Sequence, residues 1–247
     1  MDMKKLIKMD FLRLQKSALL LVCDILAMII TWWFVKNKPI PQLADEDINT
    51  LAILASAGIT FFFSIFTGIL FGSEREEGIL RNKIMAGHSQ KEIFFSQYIV
   101  LLVAMGEMTC FWLIGALAGG ARIDGQFFLY VVVSLVFNAA FIALVQAICF
   151  RAKKQVTGVV VSLAVFYFFS FGILIENFLY MITEGNPVPQ FIIAVIYNIS
   201  AVGQCFARTT LADPGLANTV LQLVVSLAVM GVALFAGTVN IAKRDVN

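Results

Sequence analysis

Six long apolar stretches, separated by short polar segments, constrain this chain more than any other feature. They cover residues 17–35, 50–71, 93–119, 127–150, 156–175 and 216–241. A helix that is apolar on all sides is buried or lipid-embedded, and within lipid only helices and closed barrels satisfy their own backbone. Crossing the ~30 Å hydrocarbon core takes about 20 helical residues. The spacing therefore predicts an all-α integral membrane protein with six transmembrane helices. The composition agrees, with 60% hydrophobic residues against 14% charged. The first stretch ends in Trp32 and Trp33, an interface belt, and lacks a small-residue cleavage site, so it is expected to be a retained helix. The third, at 27 residues, would measure roughly 40 Å and must tilt or project.

The longest strongly polar run is Gly72–Glu92, GSEREEGILRNKIMAGHSQKE, between the second and third stretches. Residues 74–86 have the pattern of a short amphipathic helix. Glu74, Glu76 and Glu77 crowd its expected first turn, where negative charge suits the helix dipole. Ile79, Leu80, Ile84 and Met85 form an apolar stripe, with Arg81 and Lys83 off it. Gly87 supplies a stop, and Ser89 with Glu92 forms a capping box for the next helix. The alternative is an ordinary solvated loop. His88, the only histidine, is expected to be a solvated surface residue.

Glu74-Arg75-Glu76-Glu77-Gly78-Ile79-Leu80-Arg81, then Ala86-Gly87-His88-Ser89-Gln90-Lys91-Glu92-Ile93, directly after the second span, resembles the signature of type-2 ABC exporter permeases. It departs in one place, where Gln90 follows Ser89 and the family often has Arg or Lys. The resemblance implies that residues 74–86 are a cytoplasmic coupling helix docking on a separate ABC ATPase subunit. Glu74, Arg75, Glu76, Glu77, Gly78, Ile79, Leu80, Arg81, Lys83 and Ile84 would be its coupling residues. It also implies a second permease subunit, identical or related, and ATP and Mg on the partner ATPase. The size and short outer loops are similar to the group that exports peptides or confers lantibiotic and bacitracin immunity. The implied substrate is an amphipathic or antimicrobial-type peptide or drug, and the implied location is a bacterial plasma membrane.

Residues 1–16 are basic and amphipathic and suit the headgroup plane, where the resemblance places an elbow helix. Residues 191–207 are apolar but short, with Asn198, Ser200 and Gln204 inside, and read as a re-entrant or interfacial helix before the sixth span. Asp213 and Pro214 read as the N-cap and first residue of that span. With six spans, fourteen Lys and Arg fall on the side of the termini and four on the other, which puts both termini in the cytoplasm. No repeat or linker divides residues 1–247, so they read as a single transmembrane permease domain.

The net charge of +2 argues against a nucleic-acid partner, and no Gly-rich lysine loop of the ATP-binding type is present. Cys23, Cys110, Cys149 and Cys205 have no metal-type spacing and read as small hydrophobes. No catalytic residue, cofactor site or metal site is assigned. Asp24 and Glu107 lie inside spans, where carboxylates are costly unless they face a polar cavity or partner. Glu107, near the middle of the third span, reads either as a substrate-path residue with Asn138 or as a structural group bonded to Asn138, Gln146 or a carbonyl. Gly115 and Gly119 have the spacing of a helix-crossing motif. The alternative class of function is a membrane-embedded sensor or enzyme subunit without transport, which Asp24 and Glu107 alone would support.

Overall fold

The computed structural model describes residues 3–39, 46–152, 154–183, 186–199, 201–210 and 216–239. Every regular element among them is a helix: α1 Met3–Gln15, α2 Ala18–Asn37, α3 Ile48–Ala55, α4 Ala57–Glu76, α5 Ile79–Met85, α6 Gln90–Gly119, α7 Gly125–Cys149, α8 Gln155–Ile182, α9 Pro187–Tyr197, α10 Ala201–Thr210 and α11 Leu216–Thr238. Five segments among the described residues are long and apolar enough to cross a membrane: Ala18–Asn37, Ile48–Glu76, Gln90–Gly119, Gly125–Cys149 and Asn218–Thr238. The protein is thus a multi-span, all-α membrane protein. The fifth expected stretch lies in the 28-residue α8, whose portion Gln155–Phe168 is apolar. The helix continues to Ile182, so the loop expected from Glu176 begins later.

Three long pairings organise the bundle: α2 along α6, α4 along α8, and α7 along α11. Glycines permit the first two. A Cβ at Gly115 would overlap the Met28 carbonyl, and one at Gly119 would lie 2.8 Å from Val35. The Gly115–Gly119 spacing is therefore the α2–α6 crossing. The core between α3, α6 and α7 is aromatic. Trp112 stacks on Phe127 with ring centroids 5.7 Å apart, and Tyr130 packs edge-on to Trp112.

The second span is not one continuous helix as its apolar run suggests; it breaks at Ser56. The Ser56 hydroxyl donates to the Ile53 carbonyl at 2.6 Å and meets the Tyr130 hydroxyl. Trp112 donates to the Ala52 carbonyl at 3.0 Å, and the Cys205 thiol to Ile53 at 2.9 Å. Side chains from α6 and α10 thus occupy the carbonyls that a break exposes, which is what makes a break tolerable in lipid.

The single helix expected over 191–207 is two helices, α9 and α10. Asn198 ends α9 by turning its amide back to Ala194, at 2.8 Å. Asn198 and Gln204, polar residues of this segment, are buried. Gln204 donates to the Asn198 carbonyl and to Ser226, both at 2.7 Å. Arg208 donates to Gln222 at 2.8 Å and to Thr219 at 2.9 Å. They fasten α10 against α11. The expected cap at Asp213 and Pro214 lies outside the described residues.

Candidate functional site

The polar run between the second and third spans folds as helix, glycine, helix, glycine, helix. Helix α4 ends at Glu76, Glu77 caps it, and Gly78 turns the chain with φ +70°, a value that L side chains rarely adopt. The short α5 follows. Gly87, at φ +91°, closes it, with its N–H on the Ile84 carbonyl at 2.9 Å and the His88 N–H on Lys83 at 3.2 Å. The expected capping box forms: Ser89 accepts from the Glu92 N–H at 3.2 Å, and Glu92 accepts from the Ser89 N–H at 2.9 Å.

Three expectations about this run are corrected, the third being that of a solvated His88. First, α5 begins at Ile79 and not at residue 74. Glu74 and Glu76 lie in the last turn of α4, where carboxylates oppose the helix dipole and need cations. Second, Lys83 does not lie off the packed face. It stands one turn from Leu80, so both point inward, and Lys83 is only 4% exposed. Leu80 is likewise buried, in a small space walled by Phe71, Gln97 and Phe150. The apolar stripe is thus used mainly within the chain.

Lys83 is the centre of a buried ionic cluster joining four helices. Its Nζ lies 2.8 Å from Asp10 Oδ1 on α1, and 3.2 and 3.3 Å from the two Glu74 oxygens on α4. Glu74 also accepts from Arg13 of α1 at 2.9 Å and from Gln97 of α6. Asp10 accepts from Ser96 of α6 at 2.9 Å. Arg13 reaches Glu77 as well, at 3.3 Å. In this cluster the basic, amphipathic α1 is tied to α5.

What α5 leaves exposed is Arg81, Asn82, Met85 and Ala86, with Glu76 and Glu77 beside them. Met85 is 67% exposed. Arg75 points elsewhere, donating to the Arg151 carbonyl at 3.2 Å, and so fixes the end of α4 to the turn before α8. His88 is buried, not solvated, with Nδ1 3.8 Å from Glu92.

The intramembrane carboxylates are placed differently from expectation. Because α6 starts at Gln90, its first turns lie beside α1, and Ser96 reaches Asp10 there. With Gly115 against Met28, Glu107 comes level with the first turn of α2. It lines a cavity with Leu20, Leu21 and Asp24. The bonds considered for Glu107 with Asn138 and Gln146 are not formed. Asn138 Oδ1 is buried without a partner, and Gln146 donates to the Phe94 carbonyl at 2.7 Å. Tyr98 donates to Ala139 at 3.1 Å, which puts Asn138 beside Tyr98. Glu107 lies a further ~13 Å along α6, at 1.5 Å per residue.

The features that sequence reasoning missed are the burial of Lys83 and Asp10 and the broken second span. The residues Asp10 and Arg13, one turn apart on α1, were the available signal for the cluster. Among the described residues no group of three or more His, Cys, Asp or Glu is placed to hold a metal ion.

No curated protein matches the chain. A family model described as ABC-2 family transporter protein matches residues 6–172, which include most of α1, the ionic cluster and the run from α4 to α6. The chain belongs to the ABC-2 family of membrane transporters.

Proposed function

We propose that this chain is the permease subunit of an ATP-driven exporter, with α5 as its coupling helix. One observation carries the reading: α5 is clamped from inside by Lys83 while its other face stays open. A partner ATPase, holding ATP and Mg, docks on Arg81, Asn82 and Met85. Displacement of α5 then moves α1, α4 and α6 together, because breaking a buried ion pair is costly. Glu74 and Lys83 act inside this transmission and do not touch the partner. Six spans enclose the path, α8 being the fifth, and a second permease subunit completes it. Helix α1 lies as an elbow in the headgroup plane, and α9 with α10 enters from the outer face. The cargo is an amphipathic or antimicrobial-type peptide or drug, and Glu107 and Asn138 are separate polar points on its route.

The test uses the tagged chain purified with the ATPase that it captures. Arg81→Glu combined with Met85→Glu is expected to leave thermal stability unchanged, since both side chains are exposed, and to cut ATPase recovery about tenfold or more. Normal recovery and normal substrate-stimulated ATP hydrolysis would move the docking face elsewhere. Leu80→Asp is a poorer probe, because it places a charge in the chain's own interior.

The orientation rests on the Lys and Arg bias. With single cysteines, Asp45→Cys is expected to react with an impermeant maleimide on intact cells. Asn247→Cys is expected to react only after lysis, and labelling of Asn247→Cys on intact cells would overturn the topology.

A further inference from the structure

Where α1 turns into α2, a cavity of 410 Å³ opens beside α6, lined by Lys16, Ser17, Leu20, Leu21, Asp24 and Glu107 among others. The coupling arrangement does not use it, and of its lining residues only Glu107 is placed on the proposed cargo route. Asp24 is 1% exposed, and neither of its carboxylate oxygens has a hydrogen-bond partner. Buried acceptors of this kind are normally satisfied, and a carboxylate inside a membrane is costly until it finds a cation or a donor. Glu107 adds a second carboxylate to the same cavity. Lys16 and Ser17 stand at the cavity's other end, at the α1–α2 junction.

The arrangement places two acceptor groups, Glu107 level with the first turn of α2 and Asp24 a turn further in, beyond a cation at the start of α2. The complementary ligand carries an ammonium with free N–H groups at one end and an anion at the other. The position selects its source. Helix α1 is basic and amphipathic and suits the headgroup plane, so the start of α2 lies at headgroup level. The exposed side of the first turns of α2, Leu21 and Val22, is apolar and suits acyl chains.

We infer that this cavity holds the headgroup of an amine-bearing zwitterionic phospholipid. Its ammonium lies toward Asp24 and Glu107, and its phosphodiester toward Lys16 and Ser17. A choline headgroup does not suit the cavity. It has no N–H to give to Asp24, and the described residues that line the cavity include no aromatic ring to hold a quaternary ammonium. A purely anionic headgroup would meet the two carboxylates.

The test uses the full chain in nanodiscs of phosphatidylethanolamine, phosphatidylcholine and phosphatidylglycerol in equal parts, treated with a carbodiimide. The reagent activates a carboxyl group. An amine already seated there displaces it as the urea, leaving an amide between protein and lipid. Peptide mass spectrometry is expected to find the phosphatidylethanolamine adduct on Asp24 or Glu107, about tenfold above that on the exposed Glu77. Lys16→Ala, on an exposed residue, is expected to lower this adduct about tenfold. In the same discs doped with dodecylamine, an amine without phosphate, its adduct should be insensitive to Lys16→Ala. Equal adducts on Glu77, or a lipid adduct unchanged by Lys16→Ala, would overturn the inference. A dodecylamine adduct that falls with the lipid adduct would also overturn it, since Lys16 would then be acting on the cavity and not on the phosphate. Native mass spectrometry of lipids retained by the purified chain gives a second readout. Phosphatidylethanolamine should be enriched over phosphatidylcholine and lose its enrichment in Asp24→Asn, and equal retention of the two lipids by the unmodified chain would equally sink the idea.

Discussion

Replacing Lys83 by methionine is expected to destabilise the folded chain by about 3–5 kcal/mol, the cost of removing one partner from a buried ion pair. At roughly 2–4 °C per kcal/mol for a chain of this size, the melting temperature in detergent should fall by about 10 °C. The cause is not the lost attraction alone. Lys83 sits between Asp10 and Glu74, whose side chains are only 5% and 6% exposed. Without the ammonium, Asp10 keeps only the neutral Ser96 hydroxyl, and Arg13, which reaches Glu74 and Glu77, is the one cation left in the cluster. Methionine keeps the length and apolar stem of lysine, so packing beside Leu80 is preserved and the charge effect is isolated. Adding Asp10→Asn and Glu74→Gln to Lys83→Met removes the uncompensated charges. The triple variant should recover most of the stability, because neutral replacement of a buried ionic group is often tolerated. A melting temperature unchanged in Lys83→Met would mean that the cluster is hydrated and carries little energy.

The same cluster shows where sequence reading stops. Features fixed within one or two helical turns were legible: the Ser89–Glu92 capping box, the stop at Gly87, and the close approach at Gly115 and Gly119. Each is marked by residues three or four apart, although the glycine pair's partners, Met28 and Val35, lie far away on α2. The burial of Lys83 was not legible, because its cause lies on α1, more than seventy positions away. Lys83 stands three residues from Leu80, so any helix through both puts them on one face, but nothing local supplies the carboxylates that let a lysine be buried there. The break at Ser56 has the same character. The apolar run is continuous, and only the donors of Trp112 and Cys205 make the break affordable.

Gly72→Leu is expected to be the most disruptive single substitution in the α4–α8 contact, where two backbones touch. A Cβ at Gly72 would overlap the Gln155 backbone. One at Gly68 would lie 2.7 Å from the Val159 backbone and the Ser162 hydroxyl, and Gly158 faces the Gly68 carbonyl from the other side. Within lipid the helices gain little from hiding apolar surface, and close packing supplies their association. A leucine here cannot be accommodated by rotating a flexible neighbour, because the opposing atoms are main chain. The loss should reach or exceed the upper end of the roughly 1–3 kcal/mol typical of overpacking. Gly106→Ala and Gly231→Ala are the matched controls. A Cβ at either meets nothing within 4 Å. Both lie inside helices, where alanine is favoured over glycine by about 1 kcal/mol, so stability should hold or rise. Thermal unfolding of the three variants in one detergent decides the matter. If Gly72→Leu melts with Gly106→Ala, then α4 and α8 are free to part, and force applied at α5 would not pass from α4 to α8. If it melts far below, the contact is rigid, and under the proposed coupling Gly72 and the Arg75 bond to the Arg151 carbonyl are where the end of α4 would pass motion to α8.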